Sequence, residues 1–261
     1  MKEGNKPPGP DNPQARARWV RGMFTRVAPR YDLLNHLLSF NLDRYWRARV
    51  ARRVASVLAR SGARALDLCC GTGDLLAALR RRALAAGTQP LLIGCDYCHS
   101  MLVAARKKLP DAVLLEADAL ALPLPDASVD LITVAFGLRN LSDFRAGLRE
   151  MQRLLRPGGV AAILEFSRPR STALRMLYRV YSEHILPRIG GWISGVPEAY
   201  RYLPESVARF PEPDQLAALM REAGFTQVEL ATMSGGIVAL HIGVAQRAHG
   251  RGACRAPRPA N

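Results

Sequence analysis

Apolar runs and helical spacings alternate along most of this chain. Short apolar runs of the buried-strand type are separated by stretches in which apolar residues recur every three or four positions. Five such runs predict strands, at residues 65–68, 91–95, 112–116, 129–135 and 160–166. Helices are predicted between them over 74–86, 100–108 and 143–155, and Arg156-Pro-Gly-Gly159 predicts a turn. This alternation indicates a parallel sheet with helices on both faces.

The pattern changes at both ends of this alternating region. Three amphipathic helical stretches precede the first strand, which predicts a helical cap on the core. A helical insertion is predicted over residues 172–190, followed by a loop through Pro204 and a helix at 214–223. Two final apolar runs flank Ser234-Gly-Gly236, a hairpin signal. The fold class is therefore α/β and Rossmann-like, with a mostly parallel seven-stranded sheet that ends in an antiparallel pair.

Composition indicates a single domain between two tails. Residues 1–14 are rich in proline and residues 246–261 in glycine, proline and arginine, so both are predicted to be disordered. The domain is predicted over residues 15–245. Its parts are the cap at 15–62 and the core at 63–245, with the helical insertion at about 172–204.

Charge, hydropathy and cysteine content indicate which neighbours and which cellular compartment to expect for this protein. The formal net charge of +15 favours nucleic acid or an anionic membrane as a neighbour, or reflects an arginine-rich composition that keeps the protein soluble. No stretch of 18 apolar residues and no apolar signal core is present, so a cytoplasmic protein is expected. Five cysteines need no pairing there. Cys95-Asp-Tyr-Cys98 has no second pair to complete a metal site, and none is predicted.

The segment at residues 65–74 predicts a strand, a glycine turn and the start of a helix. Gly71 and Gly73 let the backbone approach a ligand closely, and the helix N-terminus supplies free N–H groups. A dinucleotide fingerprint needs a third glycine at the helix start, which this chain lacks. Asp67 and Asp74 beside the loop would repel a pyrophosphate but attract an ammonium and a sulfonium. We therefore predict S-adenosylmethionine as the cofactor.

Two acidic positions after the next strands extend this cofactor site. Asp96 follows the second strand, where a carboxylate accepts hydrogen bonds from ribose hydroxyls or caps the next helix. Tyr97 can pack on the adenine. Asp118 and Ala119 follow the third strand and can hydrogen-bond the adenine edge, although a capped turn is the alternative for Asp118.

Further segments resemble a known family. They lie at residues 24–35, 46–47, 66–74, 135–140, 156–159, 164–167, 200–206 and 235–241. With Ala135-Phe-Gly-Leu-Arg-Asn140 as one of the most specific segments, the chain resembles the ubiquinone/menaquinone biosynthesis C-methyltransferases (UbiE/MenG-like enzymes) from about residue 21 to 243. Asn41 stands where that family usually has glycine, and asparagine tolerates a positive φ.

The resemblance implies an activity. It is methyl transfer from S-adenosylmethionine to a ring carbon of a polyprenylated quinol, with demethylmenaquinol to menaquinol as the favoured step. The benzoquinol step of ubiquinone biosynthesis is the alternative, because this family uses one site for both. A nucleic-acid methyltransferase and a non-catalytic cofactor-binding scaffold are weaker alternatives, and nucleic acid is not an expected partner. The resemblance also assigns Thr72, Asp96, Asp118 and Ala119 to the cofactor.

Candidate catalytic residues follow the fourth strand, at the carboxyl edge of the sheet. Arg139 could hold a phenolate and Asn140 could orient a hydroxyl, unless both cap a surface loop. The candidates for the quinol pocket are Tyr31, Asn35, Tyr200, Tyr202 and His241. His241 as a base is weighed against a hydrogen-bonded core histidine.

The expected partners follow from the substrate that the resemblance implies. The helical cap and insertion are expected to form a lid and a channel for the lipid tail. The basic surface would then hold a cytoplasmic enzyme transiently on anionic lipid, as a peripheral membrane protein. A homodimer and a quinone-synthesis complex are both left open.

Overall fold

The computed structural model describes residues 9–246. The helices are α1 (Pro13–Val27), α2 (Tyr31–Leu38), α3 (Leu42–Arg53), α4 (Ala55–Leu58), α5 (Asp74–Ala85), α6 (His99–Lys108), α7 (Phe144–Leu154), α8 (Thr172–Val180), α9 (Leu186–Ser194), α10 (Pro197–Arg209) and α11 (Pro213–Glu222). The strands are β1 (Arg64–Leu68), β2 (Leu91–Asp96), β3 (Val113–Glu116), β4 (Val129–Ala135), β5 (Leu155–Phe166), β6 (Phe225–Met233) and β7 (Val238–Ala245). Single 3₁₀ turns lie at Ala28–Arg30, Leu138–Asn140 and Ser234–Gly236, and a π-helical turn lies at Tyr181–Ile185.

The sheet has the order β3-β2-β1-β4-β5-β7-β6. The first five strands are parallel, and β7 runs antiparallel between β5 and β6. The strand order reverses between β1 and β4, so the loops after these strands diverge and leave a crevice at their carboxyl ends. The predicted fold class is confirmed, including the antiparallel end of the sheet.

Buried strands separate two apolar layers. On one face, Val50 of α3 and Leu76 and Leu79 of α5 pack against strand residues that include Leu131 and Leu164. On the other face, Leu148 and Met151 of α7 and Met220 of α11 pack against strand residues that include Ile132 and Ile163. Both faces are covered, so the strands are nearly continuous apolar runs, as the sequence pattern indicated.

The N-terminal helices lie over the carboxyl edge of the sheet. Asn12 caps α1 by accepting hydrogen bonds from the N–H groups of Gln14 and Ala15 at 2.9 and 3.0 Å. Asn41, which precedes α3, has a φ of 60°, so the positive φ expected there is confirmed.

Among the described residues, none of the helices combines the length and the apolar character that a membrane span requires.

Some sequence predictions need correction. The segment predicted as a loop through Pro204 is instead the helix α10, because Pro197 occupies its first turn, where a proline is tolerated. The predicted turn at Arg156–Gly159 is an irregular start of β5, since Val129 pairs with Leu155 while Leu131 pairs with Val160.

The predicted tails fall mostly beyond the described chain. Residues 1–8 and 247–261 lie outside the described residues, which leaves the prediction for them without a structural account. Within the tail predicted over residues 1–14, α1 already begins at Pro13.

Candidate active site

A strained glycine loop joins β1 to α5. Cys69, Gly71 and Gly73 all have positive φ values, of 52°, 55° and 84°. A side chain at Gly71 would meet only Tyr31, at 3.8 Å, and would project into open space in front of the loop. Gly73 has a different task, because a Cβ there would lie 3.2–3.3 Å from Leu109 and Ala105 of the α6 region. The first glycine therefore opens the crevice and the second permits close helix packing.

A cleft lies in front of this loop. Its wall contains these predicted cofactor residues: Gly71, Asp96, Tyr97, Asp118 and Ala119. The Tyr97 ring lies under the guanidinium of Arg21, with 4.8 Å between the guanidinium carbon and the ring centroid. The Asp118 carboxylate accepts a hydrogen bond from the Leu120 N–H at 2.9 Å. The capped turn that was the alternative for Asp118 therefore exists alongside its place in the cleft.

Asp96 links the second strand to the glycine loop. Its Oδ2 accepts from the Gly71 N–H and its Oδ1 from the Cys98 N–H, both at 2.8 Å. Burial raises the pKa of Asp96, and these backbone hydrogen bonds oppose that rise. Each carboxylate oxygen keeps a second lone pair, so Asp96 can still accept from a ligand's hydroxyls.

Other predicted cofactor residues do not line the cleft. The buried Asp67 accepts a hydrogen bond from the Thr133 hydroxyl at 2.6 Å, and burial raises its pKa to about 7. The Thr72 hydroxyl donates to Asp32 and accepts from the Lys108 ammonium at 3.0 Å. These side chains face packed helices and strands rather than the opening.

The sequence predicted negative charge beside the loop at Asp67 and Asp74, whereas other carboxylates line the cleft. Asp74 is paired with the ammonium of Lys108 at 2.6 Å and lies off the cleft, as does Asp67. The carboxylates that do line the cleft are Asp96 and Asp118. Negative charge is still presented to a cationic ligand, but from the ends of β2 and β3.

A second, larger cavity adjoins the cleft. Its lining is largely apolar. It contains four of the predicted quinol residues: Tyr31, Asn35, Tyr200 and Tyr202. Phe24, Tyr31 and Phe136 line both the cleft and this cavity, and so mark the place where the two meet. We refer to the two spaces as the cofactor cleft and the apolar cavity.

Arg139 lies in the wall of the apolar cavity and is paired with a buried acid. Its Nη1 donates to Glu165 Oε2 at 2.8 Å and to the Phe136 carbonyl at 2.6 Å. Its Nε donates to the Ser206 hydroxyl at 3.3 Å, and its guanidinium carbon lies 5.2 Å from the Phe166 ring centroid. Burial alone would lower the pKa of Arg139, but the Glu165 carboxylate raises it above its ordinary value.

Asn140 lines the cofactor cleft and connects it to the cavity. Its amide donates to the Phe136 carbonyl at 3.3 Å, and its Oδ1 accepts from the Tyr202 hydroxyl at 2.9 Å. Burial raises the pKa of Tyr202 to about 12, so the phenol keeps its proton and can donate it. The loop-capping alternative is thus realised, because Arg139 and Asn140 both bind the carbonyl of Phe136, whose φ is 61°.

Comparison with known proteins places this chain in a family. The sequence profile of the ubiE/COQ5 methyltransferase family matches residues 12–245. The chain belongs to this family. A demethylmenaquinone methyltransferase of Thermus thermophilus is 47% identical over 226 residues, covering 85% of this chain and 99% of that protein. A ubiquinone/menaquinone biosynthesis C-methyltransferase UbiE of Shewanella sediminis is 42% identical, covering 88% and 92%.

A solved structure supports the fold of this ubiE/COQ5 family member. A SAM-dependent methyltransferase from Thermotoga maritima superposes with a TM-score of 0.58 at 20% identity, covering 86% of this chain and 99% of that one. At this identity the likeness concerns the fold alone. The family resemblance and the methyltransferase class inferred from the sequence are confirmed.

His241 lies away from both spaces in this methyltransferase. It pairs with Ile163 across the sheet, on the face covered by α7 and α11. Its Nε2 bonds to the Pro213 carbonyl at 2.8 Å, and burial lowers its pKa. A neutral ring in a packed core is the alternative that the sequence left open, and the structure places His241 there rather than in the quinol pocket.

Sequence reasoning missed several residues that shape the site. Cys69 lines the cleft and Phe136 lines both spaces, and each has a positive φ. The buried Asp43 and Arg47 line the apolar cavity. Arg47 and Phe136 fall within segments that carry the family resemblance, so the sequence held a signal for both residues.

Proposed function

We propose that this chain methylates a ring carbon of a polyprenylated quinol, with demethylmenaquinol as the favoured substrate. The observation that carries this proposal is the junction of two unlike spaces: a cleft lined by carboxylates and a large apolar cavity share Phe24, Tyr31 and Phe136. A methyl donor in one and an aromatic ring in the other would meet there. The names of the relatives in Thermus thermophilus and Shewanella sediminis support this substrate class.

S-adenosylmethionine fits the residues of the cofactor cleft. Gly71 leaves room in front of the loop, Asp96 could accept from ribose hydroxyls, and Asp118 and Ala119 line the same cleft and could hydrogen-bond an adenine edge. When bound, this cofactor supplies an electrophilic methyl group attached to a sulfonium. The carboxylates of Asp96 and Asp118 suit a ligand of positive charge.

The ring must be reduced to accept a methyl group, because an oxidised quinone ring is electron-poor. Forming a phenolate at pH 7 from a phenol of pKa about 10 costs roughly 4 kcal/mol. Holding two reactants in line can contribute roughly 7–11 kcal/mol. Positioning is therefore the larger task of the protein, and stabilising charge on the ring oxygen is the smaller one.

Arg139 is the candidate for that smaller task. Glu165 neutralises its charge, so Arg139 acts as a fixed donor rather than a free cation. Among the described residues, the hydrogen bonds of its guanidinium run through Nε and Nη1, and Arg139 lines the apolar cavity, which leaves Nη2 for a ring oxygen. A donor held in place before reaction stabilises a developing oxyanion without reorganisation.

The turnover of a short-tailed demethylmenaquinol with labelled S-adenosylmethionine tests the proposal. We expect labelled product with the reductant-treated substrate and none with the oxidised quinone. Equal rates with and without reductant would refute attack by a ring carbon. A benzoquinol substrate assayed in parallel decides between the favoured step and the ubiquinone alternative, which the name of the Shewanella relative keeps open.

We also propose that the mouth of the apolar cavity docks on an anionic membrane. Phe40, Leu177 and Ile185 are exposed and line this cavity. Further exposed apolar side chains lie on α2, α8 and α9, helices that contribute other residues to its lining. We call the whole set the apolar rim: Leu33, Leu37, Phe40, Met176, Leu177, Ile185, Ile189 and Trp192. Trp192 is 87% and Phe40 75% exposed, which is unusual for aromatic residues of a water-soluble surface. The exposed Arg175, Arg179 and Arg188 lie on the same helices.

This arrangement suits a lipid tail entering from a bilayer. The rim would insert between head groups while the arginines bind lipid phosphates. In flotation assays, we expect the protein to bind vesicles rich in phosphatidylglycerol and to lose most binding in a Phe40→Ser/Trp192→Ser variant. Leu84→Ser is the matched control, since Leu84 is 53% exposed on α5, outside the rim. Equal loss of vesicle binding in the control would contradict the proposal that this face docks on the membrane.

A homodimer or a quinone-synthesis complex stays a prediction.

A further inference from the structure

A second buried arginine lines the apolar cavity, and the proposed methyl transfer gives it no role. Arg47, on α3, is 7% exposed, and its Nη1 donates to the carboxylate of Asp43 one helical turn earlier. Asp43 is itself 3% exposed. Both residues line a cavity whose other walls are mostly apolar. Burying an ion pair costs desolvation free energy, and an apolar pair of the same volume is often as stable.

The Asp43 carboxylate fixes the position of Arg47. It accepts the Ser39 hydroxyl at 2.8 Å and bonds to the His36 Nδ1 at 2.9 Å, in addition to the guanidinium. These partners lie on α2 or beside it, so they tie that helix to α3. Ser39, His36 and Arg47 already bind the Asp43 carboxylate, so we expect Asp43 to act on a ligand mainly through Arg47.

The guanidinium of Arg47, by contrast, has donors to spare. Among the described residues, the hydrogen bond of its guanidinium is the one from Nη1 to the Asp43 carboxylate. A guanidinium keeps its charge and carries five N–H groups, so unused donors in an apolar cavity call for an oxygen-bearing ligand.

Arg47 lies close to the place where the two spaces meet. Its guanidinium carbon is 5.6 Å from the ring centroid of Phe136, which lines both spaces. The Phe136 and Phe166 rings are 4.5 Å apart, and Arg139 lies over Phe166. Each arginine therefore lies against one ring of this aromatic pair. Burial raises the pKa of Tyr31 at the junction, and the charges of both arginines oppose that rise.

We infer that Arg47 binds the second ring oxygen of the substrate, so that two buried arginines recognise a 1,4-dihydroxy ring. This rests on the proposed function. Arg139, next to the cleft residue Asn140, takes the hydroxyl beside the carbon that is methylated. Arg47 takes the hydroxyl across the ring. A ring with oxygens at both ends is held in one orientation, whereas a ring with a single hydroxyl is held at one end only.

Two substrates separate this role from a structural one. The first is a short-tailed prenylated 1,4-naphthalenediol, and the second is 3-prenyl-1-naphthol, which lacks the hydroxyl remote from the methylated carbon. The diol is intrinsically more reactive, but that difference cancels when the ratio of kcat/KM values is compared between enzyme variants. We expect Arg47→Gln to reduce the preference for the diol by about 10- to 100-fold, as for loss of a hydrogen bond to a charged group.

The variants include their own controls. Arg47→Lys keeps the charge and can keep the pairing with Asp43, so it should fold like the wild type and lose a smaller part of the preference. Arg49→Gln changes an exposed arginine of the same helix and should leave the ratio unchanged. Melting curves verify that each variant is folded.

The outcomes are distinct. A fall in the diol rate with little change for the naphthol supports the inference. An equal fall for both substrates, or an unchanged ratio in both Arg47 variants, overturns it while the proposed function stands. If the wild type methylates neither ring, the proposed function itself fails, and the assignment of Arg47 fails with it.

Discussion

Replacing Arg139 tests both its structural and its catalytic role, and one substitution cannot separate them. Arg139→Gln would leave the carboxylate of Glu165, which is 1% exposed, without its cation. Breaking a buried pair in this way costs about 3–5 kcal/mol. For a chain of this size, that lowers the melting temperature by about 6–20 °C. A loss of activity in this variant alone would therefore have two explanations.

The double variant Arg139→Gln/Glu165→Gln removes the charge of both partners. Glu165 now accepts from the backbone N–H of residue 139 through Oε1 at 3.2 Å and from that of Phe166 through Oε2 at 3.1 Å, and the single amide oxygen of a glutamine at position 165 can keep one of these two bonds. We expect most of the lost stability to return, because no charge is left unpaired.

Activity should behave differently from stability in this pair of variants. Both lack the fixed donor, so we expect kcat to fall by about 10²–10³-fold in each, with a smaller change in KM. Initial rates with labelled cofactor and reduced substrate, measured beside melting curves, distinguish the two effects. If the double variant regains full kcat together with its stability, Arg139 only holds the loop, and the donor to the ring oxygen must be another residue.

Further predictions concern the cofactor cleft and the core. Asp96→Ala should weaken S-adenosylmethionine binding by about 1–3 kcal/mol in calorimetry, whereas unchanged affinity would mean that Asp96 only ties the loop. The pKa of Asp67 is about 7 in the folded state, above its unfolded value, so its stabilising contribution is present at low pH and lost as the pH rises towards 7. Asp67→Asn stays neutral and should gain up to about 4 kcal/mol over the wild type between pH 4 and pH 7.5 in denaturant titrations. Gly137→Ala would place its Cβ 2.3 Å from that of Cys69 and should weaken both stability and cofactor binding, while the exposed Gly22→Ala in α1 should stabilise by up to about 1 kcal/mol. A tolerated Gly137→Ala in melting and binding assays would show that the loop can move.

The elements of the fold could be predicted because their signals are local. Each buried strand is an apolar run that ends at a turn residue, and Asp96 stands at such an end, so its place in the cleft followed from its position in the chain. The loop predicted through Pro204 was wrong, because a proline can also begin a helix or be accommodated within one. Pro197 begins a helix, and Pro204 is accommodated inside it.

Side-chain directions could not be predicted in the same way, since they depend on distant partners. Thr72 turns from the cleft because Asp32 and Lys108, far along the chain, bind its hydroxyl. The side chain of His241 faces the carbonyl of Pro213 at the start of α11, on the sheet face opposite to α3 and α5. A glycine loop predicts where the backbone approaches a ligand, but not which neighbouring side chains do.

The cofactor cleft and the apolar cavity differ in the elements that form them and in the forces that would hold a ligand. The cofactor cleft is formed by strand ends and a glycine loop, whose geometry is fixed by the sheet and by the tie between Asp96 and Gly71. The apolar cavity lies between the added helices and the core. Within the described chain, the deeply buried charged residues of its wall are Asp43, Arg47 and Arg139; Asp43 pairs with Arg47, and Arg139 pairs with Glu165 behind the wall. Apolar area there favours a hydrophobic tail without fixing its orientation, because the hydrophobic effect is not directional. Orientation of the ring must therefore come from the polar groups at the junction, and that is why the arginines, rather than the greater part of the cavity, should decide which ring is methylated.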